Sequence, residues 1–393
     1  MKKVILQKGK DKSVLRYHPW VFSGAIQRKD AGLSDGDIVE VFDANNTFLA
    51  IGHYYDSTIS VRIFSFDRIT PDEDFWKSKL NAACLYRTNM GLMNNLDTNM
   101  FRLINGEADG LPGLIIDWFD GHVVLQFHAY GMYLLKDIIV KGLQELFQEQ
   151  LKSIYDKSAA TLPEMKGKCF ADELIFGNVD EVLVKENGHD FYIDIVKGQK
   201  TGFFVDQRDN RKLVGEYAAG KKVLNLFCYT GGFSVYALAG GATEVHSVDI
   251  SKKAIECTDS NIALLGDLQS KHRSYADNVF DFLDEMPDNY YDLIILDPPA
   301  FAKHHKVKEQ GLKGYRNINR KAIEKIKKGG LLFTFSCSQA ISKEDFQTLL
   351  FSAAAMEKRE MKIVKQLQQS VDHAVNIFHP EGTYLKGLML YIV

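Results

Sequence analysis

The spacing of apolar residues changes character twice along the chain. Over residues 1–68 it comes as short alternating runs at 4–6, 20–22, 37–42, 48–54 and 60–64, cut by turn signals such as Asp35-Gly36-Asp37 and Asn45-Asn46. Period-two alternation punctuated by Gly, Asn and Asp predicts a small β-barrel or sandwich. Over residues 69–190 the pattern is mixed. Pro71 opens a helical stretch reaching about Gly91, and strands are expected at 101–104, 113–119 and 121–127. An amphipathic helix is expected over 133–147, with Leu134, Ile138, Leu143 and Leu146 inward, followed by strands at 181–184 and 191–195. Residues 156–172, polar and holding Pro163 and Gly167, read as a loop. This is an α+β unit. From residue 191 onward the strands become short continuous apolar runs, at 223–227, 244–248, 292–297 and 330–336, with helical stretches at 206–217, 233–239 and 251–265 between them. Such runs are buried on both faces, which predicts a doubly wound, mostly parallel α/β sheet. Segments 373–378 and 384–393 are expected to close it, the last antiparallel. The domains expected are therefore 1–68, 69–190 and 191–393.

The third unit is organised around residues 222–249, KVLNLFCYTGGFSVYALAGGATEVHSVD. Strand, glycine turn, helix and second strand follow one another, and the second strand ends in an acid. Gly231 and Gly232 allow a ligand close to the backbone, and Asp249, 18 residues after Gly231, stands where a carboxylate can accept both hydroxyls of a ribose. An adenosine-containing cofactor is expected. The loop has neither the G-x-G-x-x-G of a dinucleotide site nor the G-x-x-x-x-G-K-S/T of a P-loop. The turn Phe227-Cys228-Tyr229-Thr230-Gly231-Gly232, with Asp297-Pro298-Pro299 at the end of a later strand, instead resembles the S-adenosylmethionine-dependent methyltransferase pattern. Residues 276–280 would then lie beside the adenine, with Asp277 or Asn278 accepting from its amino group.

Two charged stretches flank this core. Residues 198–211, GQKTGFFVDQRDNR, place dense charge beside Phe203 and Phe204, poor core material. They read as a lid over the cofactor, with Asp206 or Arg208 meeting its methionine end. Residues 303–328 carry ten Lys or Arg against two Glu. So one-sided a run beside the mouth of the sheet reads as a phosphate-backbone surface, with Lys303, Arg316 and Arg320 as candidate contacts. A second basic stretch is the first 30 residues, with eight Lys or Arg against two Asp, open to either a solvated rim or a phosphate-binding edge. The rest of the composition narrows little. A net charge of -3 and 46% hydrophobic residues are those of a soluble globular protein, so affinity for a polyanion must come from such local patches. Five scattered cysteines without a C-x-x-C pair argue for a reducing compartment and against disulfides or structural zinc. No run approaches a membrane span and no signal peptide is evident, so a cytoplasmic location is expected, with no membrane partner and no metal; a homodimer is left open.

The chemistry expected at the sheet follows from where ligands bind in open α/β folds, at the carboxyl ends of the strands. Asp249, Asp297 and Cys337 all stand at such ends. Asp-Pro-Pro makes a rigid extended loop, suited to gripping a flipped base, with Pro298, Pro299 and Phe301 as contacts. Carbon 5 of cytosine is a poor nucleophile until a thiolate adds to carbon 6, and Cys337 is where that thiolate would need to be. From position alone, a small packed core thiol is the competing reading, and Cys228 is the rival nucleophile.

Other residues carry a wider resemblance. Arg16-Tyr17-His18-Pro19-Trp20-Val21-Phe22 and Gly36-Asp37-Ile38-Val39-Glu40-Val41 resemble the PUA domain, a small RNA-binding barrel; there Trp20 and Phe22 are expected in the core. Residues 106–113 (GEADGLPG) read as a structural turn, with substrate contact by Glu107 and Asp109 as the alternative. Taken with 200–211, 225–234, 296–301 and Ser336-Cys337-Ser338, they resemble the RlmI family of class I methyltransferases, which make 5-methylcytosine in 23S ribosomal RNA. The resemblance implies a Rossmann-like methyltransferase sheet behind an N-terminal PUA-like barrel and a central α+β domain. It also implies S-adenosylmethionine as cofactor, held by Asp249 and residues 227–232, Cys337 as nucleophile and RNA as partner. Two positions depart from relatives. Ala300 stands where other RNA 5-methylcytosine enzymes carry a second Cys, so Asp297 is read as the group assisting product release, and Asn278 stands where an Asp is usual. Alternatives are a guanine methyltransferase of the same build, or a non-catalytic RNA-binding assembly factor.

Overall fold

The computed structural model describes residues 1–164, 167–179, 181–302 and 305–393, and the chain forms two compact units. The first holds Met1–Val184, Ile193–Val205 and Val371–Gly382. Its alternating N-terminal strands form a six-stranded sheet in the order Trp20–Phe22, Ile59–Ser65, Phe48–Tyr54, Ile38–Phe42, Lys2–Leu6, Ile26–Lys29. All neighbours are antiparallel except Lys2–Leu6 and Ile38–Phe42. Val4, Leu6, Val39, Val41, Val61 and Ile63 alternate inward and form its core. Trp20 is half-buried, while Phe22 is 42% exposed rather than part of the core, because it ends its strand at a register shift that turns the ring outward.

The second sheet of this unit runs Glu173–Gly177, Ser153–Asp156, His122–Phe127, Leu114–Phe119, Met100–Asn105. Glu73–Asn89, capped by the Asp72 carboxylate accepting from Phe75 N, and Lys136–Phe147 are helices whose buried residues join its core. The helix expected over 133–147 breaks in two, Tyr130–Tyr133 and Lys136–Phe147. Leu134 falls at the break and is 56% exposed, while Ile139 rather than Ile138 is fully buried. The loop expected over 156–172 also begins late, because Ser153–Asp156 is a strand. The carboxylates of the 106–113 turn are structural: Asp109 takes both Arg87 terminal nitrogens at 2.5 and 2.9 Å, and Glu107 accepts from Arg62 (2.7 Å) and from the Trp20 indole (2.9 Å).

The second unit holds Lys185–Tyr192, Asp206–Ser370 and Thr383–Val393. Its seven-stranded sheet has the order His272–Ala276, Glu244–Asp249, Lys222–Leu226, Leu293–Leu296, Leu331–Ser336, Lys386–Ile392, Met361–Leu367. The first five strands and the edge strand Met361–Leu367 run in one direction and Lys386–Ile392 runs against them, the antiparallel last strand expected. Leu293–Leu296 and Leu331–Ser336 are wholly buried, as their unbroken apolar runs require. One expected strand is displaced. Residues 373–378 form no strand: they start at the end of a short 3-10 turn, Val371–His373, and lie in the first unit; the closing edge strand is Met361–Leu367.

Candidate active site at the carboxyl edge of the parallel sheet

Strand register decides what meets at the edge. Leu226 lies opposite Val248 and Leu296, and Leu296 opposite Thr334, so three central strands finish nearly level and Leu331–Ser336 runs two residues further past the same edge. Phe227, Asp249, Asp297 and Cys337 are therefore all delivered to one side of the sheet. This is the crevice in which open α/β folds bind ligands.

The turn after Lys222–Leu226 is unusual in its backbone. Phe227, Tyr229 and Gly231 have φ values of 58, 47 and 76°, a left-handed conformation that two of them adopt against side-chain sterics. The cost is met by bracing from the helix Lys252–Ala263: Thr258 Oγ1 donates to the Tyr229 carbonyl and Asn261 Nδ2 to the Thr230 carbonyl, both at 2.9 Å. Only glycine fits at 231, since a Cβ there would meet Thr258 Cγ2 at 2.7 Å. Asp249 joins the turn to the next strand, with Oδ2 accepting from Tyr229 N (3.1 Å) and Oδ1 from Ser251 N (2.9 Å). Each carboxylate oxygen keeps a further lone pair, which fits the paired hydroxyls of a ribose. Cys228 is buried in the turn with Sγ 3.6 Å from Thr258 Oγ1, and burial pushes its thiol up to about 12. Beyond the next strand, Asp277 Oδ1 accepts from Asn278 N, while Asn278 Oδ1 accepts from Phe280 N at 2.8 Å and caps Val279–Glu285. The Asn278 oxygen is thus engaged by its own helix.

The other half of the edge is the Asp297-Pro298-Pro299 turn and the Ser336-Cys337-Ser338 turn, and Tyr315 ties them together. Its hydroxyl donates toward the Pro299 carbonyl at 3.4 Å, lies 3.0 Å from Ser338 Oγ and accepts from Phe301 N at 3.5 Å. Ser338 Oγ also accepts from Ala302 N at 3.1 Å, and the Phe301 and Tyr315 rings sit 4.7 Å apart. Burial raises the Tyr315 phenol, keeping it a donor at ordinary pH. Pro298 is buried and Pro299 exposed, so the turn has one seated and one open proline. Cys337 is partly exposed. Asp297 Oδ2 accepts from Gln207 Nε2 at 2.9 Å, and Gln207 is fixed by Asn210. Lys386, opposite Ser336 in the register, donates to the Ser338 carbonyl at 2.6 Å and the Tyr384 carbonyl at 2.7 Å.

Gln207 and Lys386 were not among the residues expected at the site. Lys386 left one signal, a lone cation in the apolar run 384–393. Asp206 is buried and accepts from the Tyr384 hydroxyl at 2.5 Å; Arg208 is buried with Nε 3.7 Å from Glu186. Half of the ten cations in the basic run are compensated. Lys308, Arg320, Lys321, Lys325 and Lys327 pair with Asp345, Glu357, Asp284, Asp288 and Asp292. Arg316 and Lys313 are exposed on the helix Lys308–Lys325 and have no acidic partner among the described residues, and Lys303 lies outside the described residues. Among the described residues no group of three or more His, Cys, Asp or Glu could hold a metal, and no helix is long and apolar enough to cross a membrane.

Comparison with known proteins bears on this edge. A model of S-adenosylmethionine-dependent methyltransferases matches residues 167–381, and a PUA-like domain model matches residues 4–66. Among curated proteins, ribosomal RNA large subunit methyltransferase I of Erwinia tasmaniensis is 38% identical, covering 100% of this chain and 99% of its own. The enzymes of the same name from Aeromonas hydrophila (38%) and Escherichia coli (37%) align over 98% of both chains. In structure, a Streptococcus mutans protein described as a SAM-dependent methyltransferase superposes with a TM-score of 0.85 at 23% identity over the full length of both chains. A protein described as a methyltransferase and complexed with SAH also superposes at 0.85, with 24% identity.

Proposed function

We propose, from the premise that this chain belongs to the S-adenosylmethionine-dependent methyltransferase family that includes ribosomal RNA large subunit methyltransferase I, that it forms 5-methylcytosine in 23S ribosomal RNA through Cys337. The observation that carries the reading is the joining of Asp297-Pro298-Pro299 to Cys337-Ser338 by Tyr315, at the edge where Asp249 also stands. A flipped cytosine would be held by Pro299 and Phe301, within reach of a partly exposed thiol. The Cys337 thiolate adds to carbon 6, and the electron pair displaced from the 5,6 double bond makes carbon 5 nucleophilic. S-adenosylmethionine supplies the methyl group to carbon 5 when bound. Loss of the carbon 5 proton then restores the double bond and expels the Cys337 sulfur, a release that we assign to Asp297. Gln207 orients that carboxylate.

In the same reading, Asp249 holds the ribose of the cofactor, residues 227–231 its methionine side, and Asp206 with Arg208 closes over it. Asp277 rather than Asn278 meets the adenine amino group, since its carboxylate has a second oxygen beside the one that accepts from Asn278 N, while the single Asn278 oxygen caps a helix. Arg316 serves the phosphate backbone of the RNA, and Pro298 shapes the turn. The cell compartment is cytoplasmic, where ribosomal RNA is found.

The test is nucleoside mass spectrometry of 23S ribosomal RNA from a strain lacking the gene, before and after incubation with the purified protein and S-adenosylmethionine. Restoration of 5-methylcytosine by the wild-type chain but not by Cys337→Ala is the expected result. Restoration by both proteins would remove the thiol from the mechanism, and a changed methylguanosine would move the target to another base.

A further inference from the structure

Lys386 is a buried cation with no counter-ion among the described residues. The residue is only 5% exposed, and no carboxylate lies within ion-pair distance of its ammonium among the described residues. Taking an ammonium out of water is costly unless something repays it, and two neutral carbonyls repay only part. The two that it holds are informative. Ser338 is the residue after Cys337, and Tyr384 is where the chain enters the last strand of the sheet. Register puts Lys386 opposite Ser336, the residue before Cys337, so the lysine brackets the cysteine from both sides along the chain. Gly387 next to it lets this strand lie against Phe335, since a Cβ there would fall 2.5 Å from the ring. The ammonium is thereby fixed beneath the cysteine turn.

We infer that Lys386 is a positioning residue for Cys337: it pins the Ser338 carbonyl and lends a buried positive charge to the thiolate. This rests on the reading of Cys337 as the nucleophile. The proton lost by the thiol goes to solvent, because the ammonium already carries its own. Among the described residues two titratable groups face the pair: the Tyr315 phenol, neutral at ordinary pH, from the helix Lys308–Lys325, and Lys343, at the start of Lys343–Glu357, which adds a like charge. Burial lowers Lys386 to about 8, and Cys337 acts in the opposite direction, holding the proton on. That attraction is reciprocal: whatever favours the ammonium beside a thiolate favours the thiolate beside an ammonium. The support is present while Lys386 stays protonated and fades as pH rises through about 8.

The experiment uses the full chain with three substitutions. Lys386→Gln keeps a donor without the charge, Lys386→Met removes both, and Lys386→Arg keeps the charge. Alkylation of Cys337 by iodoacetamide is followed peptide by peptide across pH, alongside methylation of ribosomal RNA. In Lys386→Gln the pH midpoint for Cys337 labelling is expected to rise by about one unit, with turnover down about tenfold near neutral pH and less so in alkali. Lys386→Arg is expected to stay close to wild type in midpoint. An unshifted midpoint in folded Lys386→Gln, with turnover down equally at every pH, would reduce Lys386 to a structural brace and overturn the inference. Should Lys386→Met fail to fold, the Gln and Arg pair still decides. Failure of the nucleophile reading is separate, since it appears as retained turnover in Cys337→Ala whatever the labelling shows.

Discussion

Cys228 and Cys337 occupy nearly the same place in two neighbouring turns. Cys337 directly follows the strand Leu331–Ser336, and Cys228 lies two residues past Lys222–Leu226, so both arrive at the carboxyl edge of one sheet. Their surroundings differ. Cys228 is packed under the turn against Thr258, and burial, reinforced by the negative charge of Asp249, pushes its thiol up to about 12. Cys337 is partly exposed, in a turn held by Tyr315 and Ser338 and underlain by Lys386. A strand end delivers a side chain to the crevice; what faces the side chain decides whether it can react.

The largest effect that should separate them is catalytic. Cys337→Ala is expected to lower 5-methylcytosine formation on the order of 10³-fold or more, whereas Cys228→Ala should leave turnover within about threefold and cost about 1 kcal/mol of stability. Single-turnover assays with chemical denaturation of each variant check this. Reversed losses would make Cys228 the nucleophile. A second substitution tests whether the Cys228 turn belongs to the cofactor. Gly231→Ala forces a Cβ into Thr258 at a positive φ and is expected to weaken S-adenosylmethionine binding about tenfold or more, at about 1–3 kcal/mol of strain. Isothermal calorimetry reads the first and thermal unfolding the second; unchanged binding would place the cofactor elsewhere.

A smaller effect comes from pH. The folded-state pKa of Cys228 lies above the value of the unfolded chain, so the neutral thiol favours the fold at any pH below that unfolded value. As pH climbs from about 9 toward 12 the unfolded chain ionises while the folded one resists, and the contribution is lost. Thermal midpoints of wild type and Cys228→Ala should therefore converge and then cross as pH rises through that window. In alkylation at about pH 8, burial keeps Cys228 as the neutral thiol, so that peptide should stay unlabelled in the folded protein. Rapid labelling of Cys228 would mean that its turn opens.

Much of this contrast could not be read along the chain. The parallel strands were legible because burial on both faces writes an unbroken apolar run, and the cofactor turn because its glycines and Asp249 are close in sequence. The edge strand Met361–Leu367 left no such mark, since six of its seven residues are not buried, while the more apolar 373–378 turned out not to pair. Lys386 and Gln207 gain their roles from partners 48 and 90 residues away, a juxtaposition that register creates. Phe22 and Leu134 went the other way: apolar residues at a strand end and a helix break, where the pattern no longer dictates an inward face.

The basic run repeats the lesson of the two thiols with charge in place of reactivity. Arg316 and Arg320 are four residues apart on the helix Lys308–Lys325 and so share a face, yet Arg320 is paired with Glu357 at 3.3 Å and Arg316 is exposed without an acidic partner. Both line a groove with Phe280, Lys313 and Met356. A cation already neutralised by the protein displaces few counterions from RNA, so only the unpaired one should count in the salt dependence of binding. Arg316→Ala is expected to reduce the slope of log affinity against log salt by about 0.7 to 0.9, the release from one phosphate contact, and Arg320→Ala by clearly less. Filter binding of a 23S ribosomal RNA fragment over a salt series measures both. Equal changes would show that the Arg320–Glu357 pair opens on RNA, and no change in either would move the RNA path off this helix.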